Sequence, residues 1–393
     1  MAKRRARGDG AVYFDEKRNL YVGQIGLGFD FYGKRKRKTV YGKTKKEVRE
    51  KLKNIEFQIY TGTFVDKSDI TIYHLAKQIL DDRLNQNEFK EATYFRHIET
   101  LKLLEPIYNT AIQDASETQI RHFIGNTLHY SQSTINKYYE MLTRTFKEAK
   151  RRKIIAENPM EHIKKPKSKK ETVPVRALTK EEQRKLIYIL QTEEVLYSRQ
   201  MLLSLASGMR MGEINALHVE DINFMFNRFT VRRTISRGEK GAAMLSDTPK
   251  TDAGRRILNM TDDVKELLAD CVGDKTEGLI FKQNKKLITT SQVNSQFQRV
   301  LKKYNILDES ITDSKVDLHS LRHTFATRCA EAGMPPKVLQ EIMGHTDIKI
   351  TMNTYFSATA DYMKENIAKI DIALKSEGLS IGKPTEFYSA KIS

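Results

Sequence analysis

The sequence predicts a multidomain α+β protein, and three observations carry that expectation. β-prone stretches crowd residues 10–41, helical periodicity then runs through residues 69–163, and a mixed pattern fills the remainder. A chain of 393 residues is long enough for two or three domains, at roughly 100–200 residues each. The boundaries predicted are 1–65 for a small three-stranded sheet plus helix, 66–165 for a helical bundle, and 166–177 for a basic linker. Residues 178–372 then form a mixed, mainly helical domain with a small antiparallel sheet, and 373–393 a C-terminal tail.

Each element has a local reason. Val12-Tyr13-Phe14, Tyr21 to Gly26 and Lys38-Thr39-Val40-Tyr41 are rich in β-branched and aromatic residues and separated by turn-like segments. Thr44 and Glu47 match a capping box, opening a helix with Val48, Leu52, Ile55 and Tyr60 on one face. So small a sheet buries little of its own surface, so the helix must cover one face and leave the other to the basic run Lys34-Arg35-Lys36-Arg37-Lys38.

Four apolar stripes follow: Ile72 to Leu80, Tyr94 to Leu104, a third from Ser116 with Gln119 as a capping-box match, and the longest from Thr134 to Ile155. Joined by short polar turns, they predict a compact bundle. Lys164-Lys165-Pro166-Lys167-Ser168-Lys169-Lys170 reads as an exposed, extended connection. Beyond it, Thr179 and Glu182 open a helix, and Met201 to Ala206 forms another that ends at Ser207-Gly208. Phe229 to Arg233 and Arg256 to Met260 read as strands flanking a long loop. Helices resume at Asp262–Asp270, Ser291–Tyr304, Leu318–Glu331 and Pro335–Met343.

The charge narrows the function. Lys and Arg number 68 against 50 Asp and Glu, a net charge of +18. Residues 1–53 hold 17 of the basic and 6 of the acidic residues, an excess of 11. Such a surplus favours a polyanionic partner through counterion release. The two cysteines, Cys271 and Cys329, give neither a disulfide framework nor a zinc-knuckle spacing, which fits a reducing cytoplasm. No run approaches the roughly 18 apolar residues of a membrane span, so a soluble, cytoplasmic protein is expected.

Chemistry concentrates in the last two hundred residues. Arg210 stands in Ser207-Gly208-Met209-Arg210-Met211-Gly212-Glu213, and Arg322 in His319-Ser320-Leu321-Arg322-His323. Gly344-His345 and Tyr355 follow. Two arginines can hold a phosphate's anionic oxygens, and a tyrosine can attack the phosphorus. On the Leu318–Glu331 helix, Leu321, Phe325 and Cys329 should face the core, with His319 and Arg322 on a neighbouring polar-facing arc. Glu213, three residues beyond Arg210, is placed to orient it, and Lys250 sits in the loop between strands, with Lys240 as a competitor.

These motifs, with Met-Gly-His-Thr-Asp-Ile at 343–348, resemble the catalytic signature of tyrosine recombinases, the phage-integrase family. The order of small sheet, helical middle and mixed C-terminal domain is most similar to integrases of conjugative transposons and of temperate phages of Gram-positive bacteria. A basic or imidazole residue often follows the nucleophile in such enzymes; here Phe356-Ser357 does. The resemblance implies a DNA strand transferase that integrates and excises a mobile element. Arg210 and Arg322 would clamp the scissile phosphate, and Tyr355 would attack it to leave a 3′-phosphotyrosyl link. Lys250 would protonate the leaving 5′-oxygen, His319 would take the tyrosine proton or bind phosphate, and His345 would bond a non-bridging oxygen. No cofactor and no metal are called for.

The same resemblance implies double-stranded DNA of core and arm type as partner, with four protomers assembled on it and an accessory excision factor in addition. Lys34, Arg35, Lys36, Arg37 and Lys38 would meet arm DNA, and Lys164, Lys165 and Lys167 would lie along the core duplex. Each assignment has a plainer counterpart: a basic strand is also a solvated edge that discourages aggregation. His319 and His323 have the i, i+4 spacing of zinc helices, yet Arg322 lies between them and no glutamate base does, so His323 is read as a supporting residue. Two other functions fit the same groups: a type IB topoisomerase-like strand transferase, and a non-catalytic DNA-binding regulator.

Overall fold

The computed structural model describes residues 11–29, 34–61, 63–247, 255–353, 369–370 and 372–377. Lys250 and Tyr355, and the terminal part of the tail, lie outside the described residues. Two compact units emerge: Met1–Lys90 with Arg96–Glu171, and Glu91–Phe95 with Thr172–Ser393. The small sheet and the helical bundle, apart from Glu91–Phe95, thus fall in one unit, and the division at 171/172 lies within the segment expected as linker.

In the first unit, β1 (Ala11–Asp15), β2 (Leu20–Phe29) and β3 (Arg35–Gly42) pair antiparallel in that order, with Tyr13 opposite Val22 and Val22 opposite Tyr41. The strands are longer than the propensities alone predict, and Arg35 to Lys38 lie within β3. Helix α1 (Lys45–Tyr60) covers the sheet with buried Val48 and Leu52. Thr44 caps it by accepting from the Glu47 amide at 3.1 Å, but the Glu47 carboxylate reaches the Lys43 amide rather than that of Thr44.

The bundle consists of α2 (Ile72–Asn85), α3 (Glu91–Lys102), a single turn α4 (Glu105–Tyr108), α5 (Glu117–Asn126) and α6 (Gln132–Arg151). Ser116 and Gln119 form the full capping box predicted for α5. Ser131 caps α6, so this helix starts two residues before Thr134. Leu75, Leu101, Ile120, Tyr138, Leu142 and Phe146 are buried at its centre. The basic segment after it is exposed but not loose. Gln132 Nε2 donates to the Pro166 carbonyl at 3.1 Å, its Oε1 accepts from the Ser168 amide at 2.8 Å, and the Lys169 amide donates to Leu128 O at 2.9 Å.

The second unit opens with α7 (Lys180–Thr192), behind the capping box of Thr179 and Glu182. Next come α8 (Ser198–Ser207), the five-residue α9 (Met211–Asn215), β4 (Ile222–Asn223) and β5 (Arg228–Val231). The interval expected as a long loop instead folds back as a hairpin, β6 (Thr234–Arg237) against β7 (Ala243–Ser246), with Lys240 in its turn at φ 48°. Strand β8 (Arg256–Asn259) then pairs antiparallel with β5, giving sheet order β4-β5-β8. Helices α10 (Asp262–Val272), α11 (Thr290–Lys303), α12 (His319–Glu331) and α13 (Pro336–Met343) complete the unit. Their shared core includes Leu186, Met201, Ile214, Phe229, Leu268, Phe297 and Leu321. Among the described residues, no helix is long and apolar enough to cross a membrane.

Candidate active site

The site is assembled where two helices end and two begin. Helix α8 stops at Gly208, whose φ of 66° is the left-handed cap conformation that side-chain-bearing residues resist. A Cβ there would also lie 2.4 Å from Phe325 Cδ1, so only glycine lets α12 approach this closely. Two residues later Arg210 occupies the N-cap of α9, with its side chain 42% exposed. Its amide donates to Glu213 Oε2 at 3.0 Å and its Nη1 to Glu213 Oε1 at 2.9 Å. Its Nη2 donates to the carbonyl of Gly344, the left-handed cap of α13, at 3.2 Å.

Arg322 answers from the other side. Its Nη1 donates to the Gly208 carbonyl at 2.7 Å and its Nη2 to Met343 O. Arg322 therefore bonds the glycine cap beside Arg210, and the two arginines bond the adjacent carbonyls of Met343 and Gly344 at the end of α13, which laces the three segments together. The expectation of a polar-facing arc for Arg322 is corrected: the residue is 2% exposed, and Ser320 and Thr324 beside it are fully buried. This face of α12 is closed over because its hydroxyls find backbone partners, Thr324 Oγ1 donating to Ser320 O at 2.7 Å. The Arg322 Nε is buried without a hydrogen-bond acceptor, and among the described residues no carboxylate lies within ion-pair distance of it. Burial, then the neighbouring Arg210, pulls its pKa down to about 9, so it stays charged at neutral pH.

The imidazoles complete the cleft, whose volume is about 510 Å³ and whose walls include Arg210, Glu213, Thr234, Ser236, His319, Arg322 and His345. His319 opens α12 and packs edge to face with His323, ring centroids 4.8 Å apart. Although exposed at the mouth, the His319 ring is held down to about 4 by desolvation on its protein side, then by His323 and Arg322. His345 is likewise held at about 4, by desolvation and then by Arg322 and Arg210. Its Nδ1 lies 2.9 Å from Thr351 Oγ1, which fixes the ring against the helical residues 348–353. His323 is pulled down by burial and by Arg322 as well. Two neutral imidazoles therefore flank two guanidinium groups. Among the described residues, no cluster of three His, Cys, Asp or Glu side chains is arranged to hold a metal ion.

Of the residues expected at the site, Arg210, Glu213, His319, Arg322 and His345 meet at one cleft, with His323 behind His319. Lys250 and Tyr355 lie outside the described residues; Tyr355 follows Asn353, the last described residue of the 348–353 turn, by two positions. Sequence reasoning missed Arg256, which approaches Glu213 from β8, and Thr234 and Ser236 on β6. In the other unit, Lys34, Arg35, Lys36 and Arg37 are exposed, whereas Lys38 is half-buried and pairs with Asp66 at 2.5 Å. Lys164, Lys165 and Lys167 are exposed, with Lys165 3.3 Å from Glu140.

One arginine paired with Glu213 and one with no carboxylate within ion-pair distance among the described residues, beside neutral imidazoles, form a set suited to a phosphodiester, and the sequence comparisons point the same way. Residues 176–361 match the phage integrase family. The chain carries the domain of that family and is a tyrosine recombinase, an enzyme of DNA strand cleavage and joining. It is 29% identical over 350 residues to the transposase from transposon Tn916 of Enterococcus faecalis, covering 84% of this chain and 85% of the relative. It is 26% identical over 369 residues to a XerC-like tyrosine recombinase of Caldanaerobacter subterraneus subsp. tengcongensis, covering 87% and 93%. Among solved structures, the Tn1549 transposon integrase in complex with transposon right end DNA superposes with a TM-score of 0.62 at 24% identity, covering 76% of this chain and 99% of that one. A lambda integrase dimer bound to a core site gives a TM-score of 0.55 at 15% identity, covering 90% and 96%. Both share this fold.

Proposed function

We propose that this recombinase integrates and excises a transposon-type mobile element by transferring DNA strands through Tyr355. The phenolic oxygen of Tyr355 attacks the scissile phosphorus while its proton passes to neutral His319. The P–O5′ bond breaks, and the departing oxygen takes a proton from Lys250. One phosphodiester is exchanged for another, so a 5′-hydroxyl can reverse the step without an energy source. Arg210 and Arg322 stabilise the charge gathered on the non-bridging oxygens, and His345 adds a hydrogen bond there. The observation that carries this reading is Arg322: a buried guanidinium whose Nε has no acceptor and which has no carboxylate partner among the described residues. A phosphate supplies both.

The relatives named as transposases and the integrase solved on transposon DNA support the same substrate for this chain. The exposed cations of β3 would bind arm sites, and Lys164, Lys165 and Lys167 the core duplex, with four protomers joined on two sites as lambda integrase is on a Holliday junction. An accessory excision factor would set direction. The test is a suicide substrate nicked beside the cleavage position. Protein should become covalently attached to the 3′ end, in the presence of EDTA, and Tyr355→Phe should abolish attachment. Attachment that persists in Tyr355→Phe, or that never forms on either end of the element, refutes the proposal. Relaxation of supercoiled plasmids lacking any element sequence would mark a topoisomerase instead.

A further inference from the structure

Three consecutive carbonyls at the C-terminal end of α13 each accept from a different arginine. Ile342 O takes Arg256 Nε at 2.7 Å, Met343 O takes Arg322 Nη2, and Gly344 O takes Arg210 Nη2 at 3.2 Å. Two of these arginines belong to the motifs already discussed. The third stands on β8, six positions after Lys250, and its side chain is 7% exposed.

Arg256 also turns its two terminal nitrogens to Glu213, Nη2 to Oε2 at 2.8 Å and Nη1 to Oε1 at 3.3 Å. Together with the amide and Nη1 of Arg210, this gives each carboxylate oxygen two donors. A carboxylate offers about four acceptor sites, so Glu213 is saturated and its plane is held from both sides. A buried ion pair is weak evidence for stability, since well-packed apolar residues often serve as well. A planar fork that meets one carboxylate and one carbonyl at once does, however, fix direction in a way a point charge does not.

We propose that Arg256 is a positioning residue for strand cleavage: through Glu213 it sets the direction of the Arg210 guanidinium, and through the Ile342 carbonyl it holds the helix end that leads into Met343, Gly344 and His345. The inference rests on the strand-transfer reading above. The proposed role is indirect: Arg256 acts through Glu213 on Arg210 and through the Ile342 carbonyl on the segment from Met343 to His345.

The test uses the full chain with Arg256→Met and Arg256→Lys, alongside Tyr355→Phe. DNA binding, thermal stability and single-turnover attachment to the nicked substrate are measured across pH. Arg256→Met is expected to bind DNA as the parent does while attachment slows by about 10²-fold, the scale of a misplaced catalytic group. Arg256→Lys restores part of the rate, because an ammonium can pair with Glu213 without also reaching Ile342. The acid limb of the profile moves as well. Burial raises the Glu213 pKa, and Arg256, then Arg210, outweigh it to hold the carboxyl below its usual range. Without Arg256, Glu213 takes up a proton at higher pH, and attachment falls off sooner on acidification.

A merely structural role would lower thermal stability and leave that limb in place. Folded Arg256→Met with the parent's rate and acid limb overturns the proposal, as does loss of binding and attachment in equal proportion. Should Arg256→Met fail to fold, a parental rate and acid limb in Arg256→Lys overturn it just as well. Attachment surviving in Tyr355→Phe would instead remove the strand-transfer reading, whatever the Arg256 variants do.

Discussion

Arg322 places a positive charge where water cannot reach it and leaves one N–H unmatched. An uncompensated buried ion costs several kcal/mol, on the order of 3–5 when a partner is removed from a pair. The proposed function gives that cost a purpose: a substrate phosphate would bring the anion that the fold itself does not supply. The imidazoles fit the same logic. Both His319 and His345 are held at about 4 by desolvation and by adjacent cations, so each is neutral through the physiological range and protonates only as the pH falls toward 4. The second-order rate constant for attachment reports the free enzyme, and it should be flat between about pH 6 and pH 8. A fall on acidification centred near about 6.5, the ordinary histidine value, would contradict this. Arg210, His319, Arg322 and His345 were legible in the sequence because their motifs carry chemistry at fixed spacing. Arg256 was not: in Gly254-Arg255-Arg256-Ile257 nothing distinguishes the arginine turned inward from its neighbour. Nor did helical periodicity reveal the burial of Arg322, since the angle around a helix says nothing of what packs against it.

At the level of elements, capping boxes were read most reliably, because the pattern is local and its hydrogen bonds are too. Ser116 with Gln119 and Thr179 with Glu182 form as written, whereas at Thr44 only the hydroxyl half forms and Glu47 turns to the Lys43 amide. The β6–β7 hairpin was missed, because its strands are four residues each and its apolar residues do not alternate over a long enough run. Long-range contacts between elements were equally invisible, and Gly208 shows the consequence. It terminates α8 with a positive φ, admits α12 through the absence of a Cβ, and offers its carbonyl to Arg322. Gly208→Ala should destabilise the protein by about 1–3 kcal/mol through backbone strain, before any clash with Phe325 is counted. Urea unfolding would measure it. A variant as stable as the parent would show that the turn relaxes and that the contact with α12 is not what glycine serves.

For the molecule as a whole, the division into an N-terminal sheet-and-bundle unit and a C-terminal catalytic unit follows the composition. Basic and β-prone residues come first, helical periodicity second, and phosphate chemistry last. The Lys164–Lys170 segment reads from composition as an exposed, extended linker; the Gln132 side chain and the Leu128 carbonyl fasten it to the bundle through hydrogen bonds that composition cannot foretell. In the catalytic unit distant segments converge on one cleft, which the proposed function fills with a single phosphate. The most direct measurement replaces the scissile phosphate of the nicked substrate with a methylphosphonate, which lacks one anionic oxygen. Attachment by Arg322→Ala should then recover strongly relative to its rate on the natural phosphate, because the charge that Arg322 exists to meet has been removed. Equal impairment of Arg322→Ala on both substrates would contradict the account.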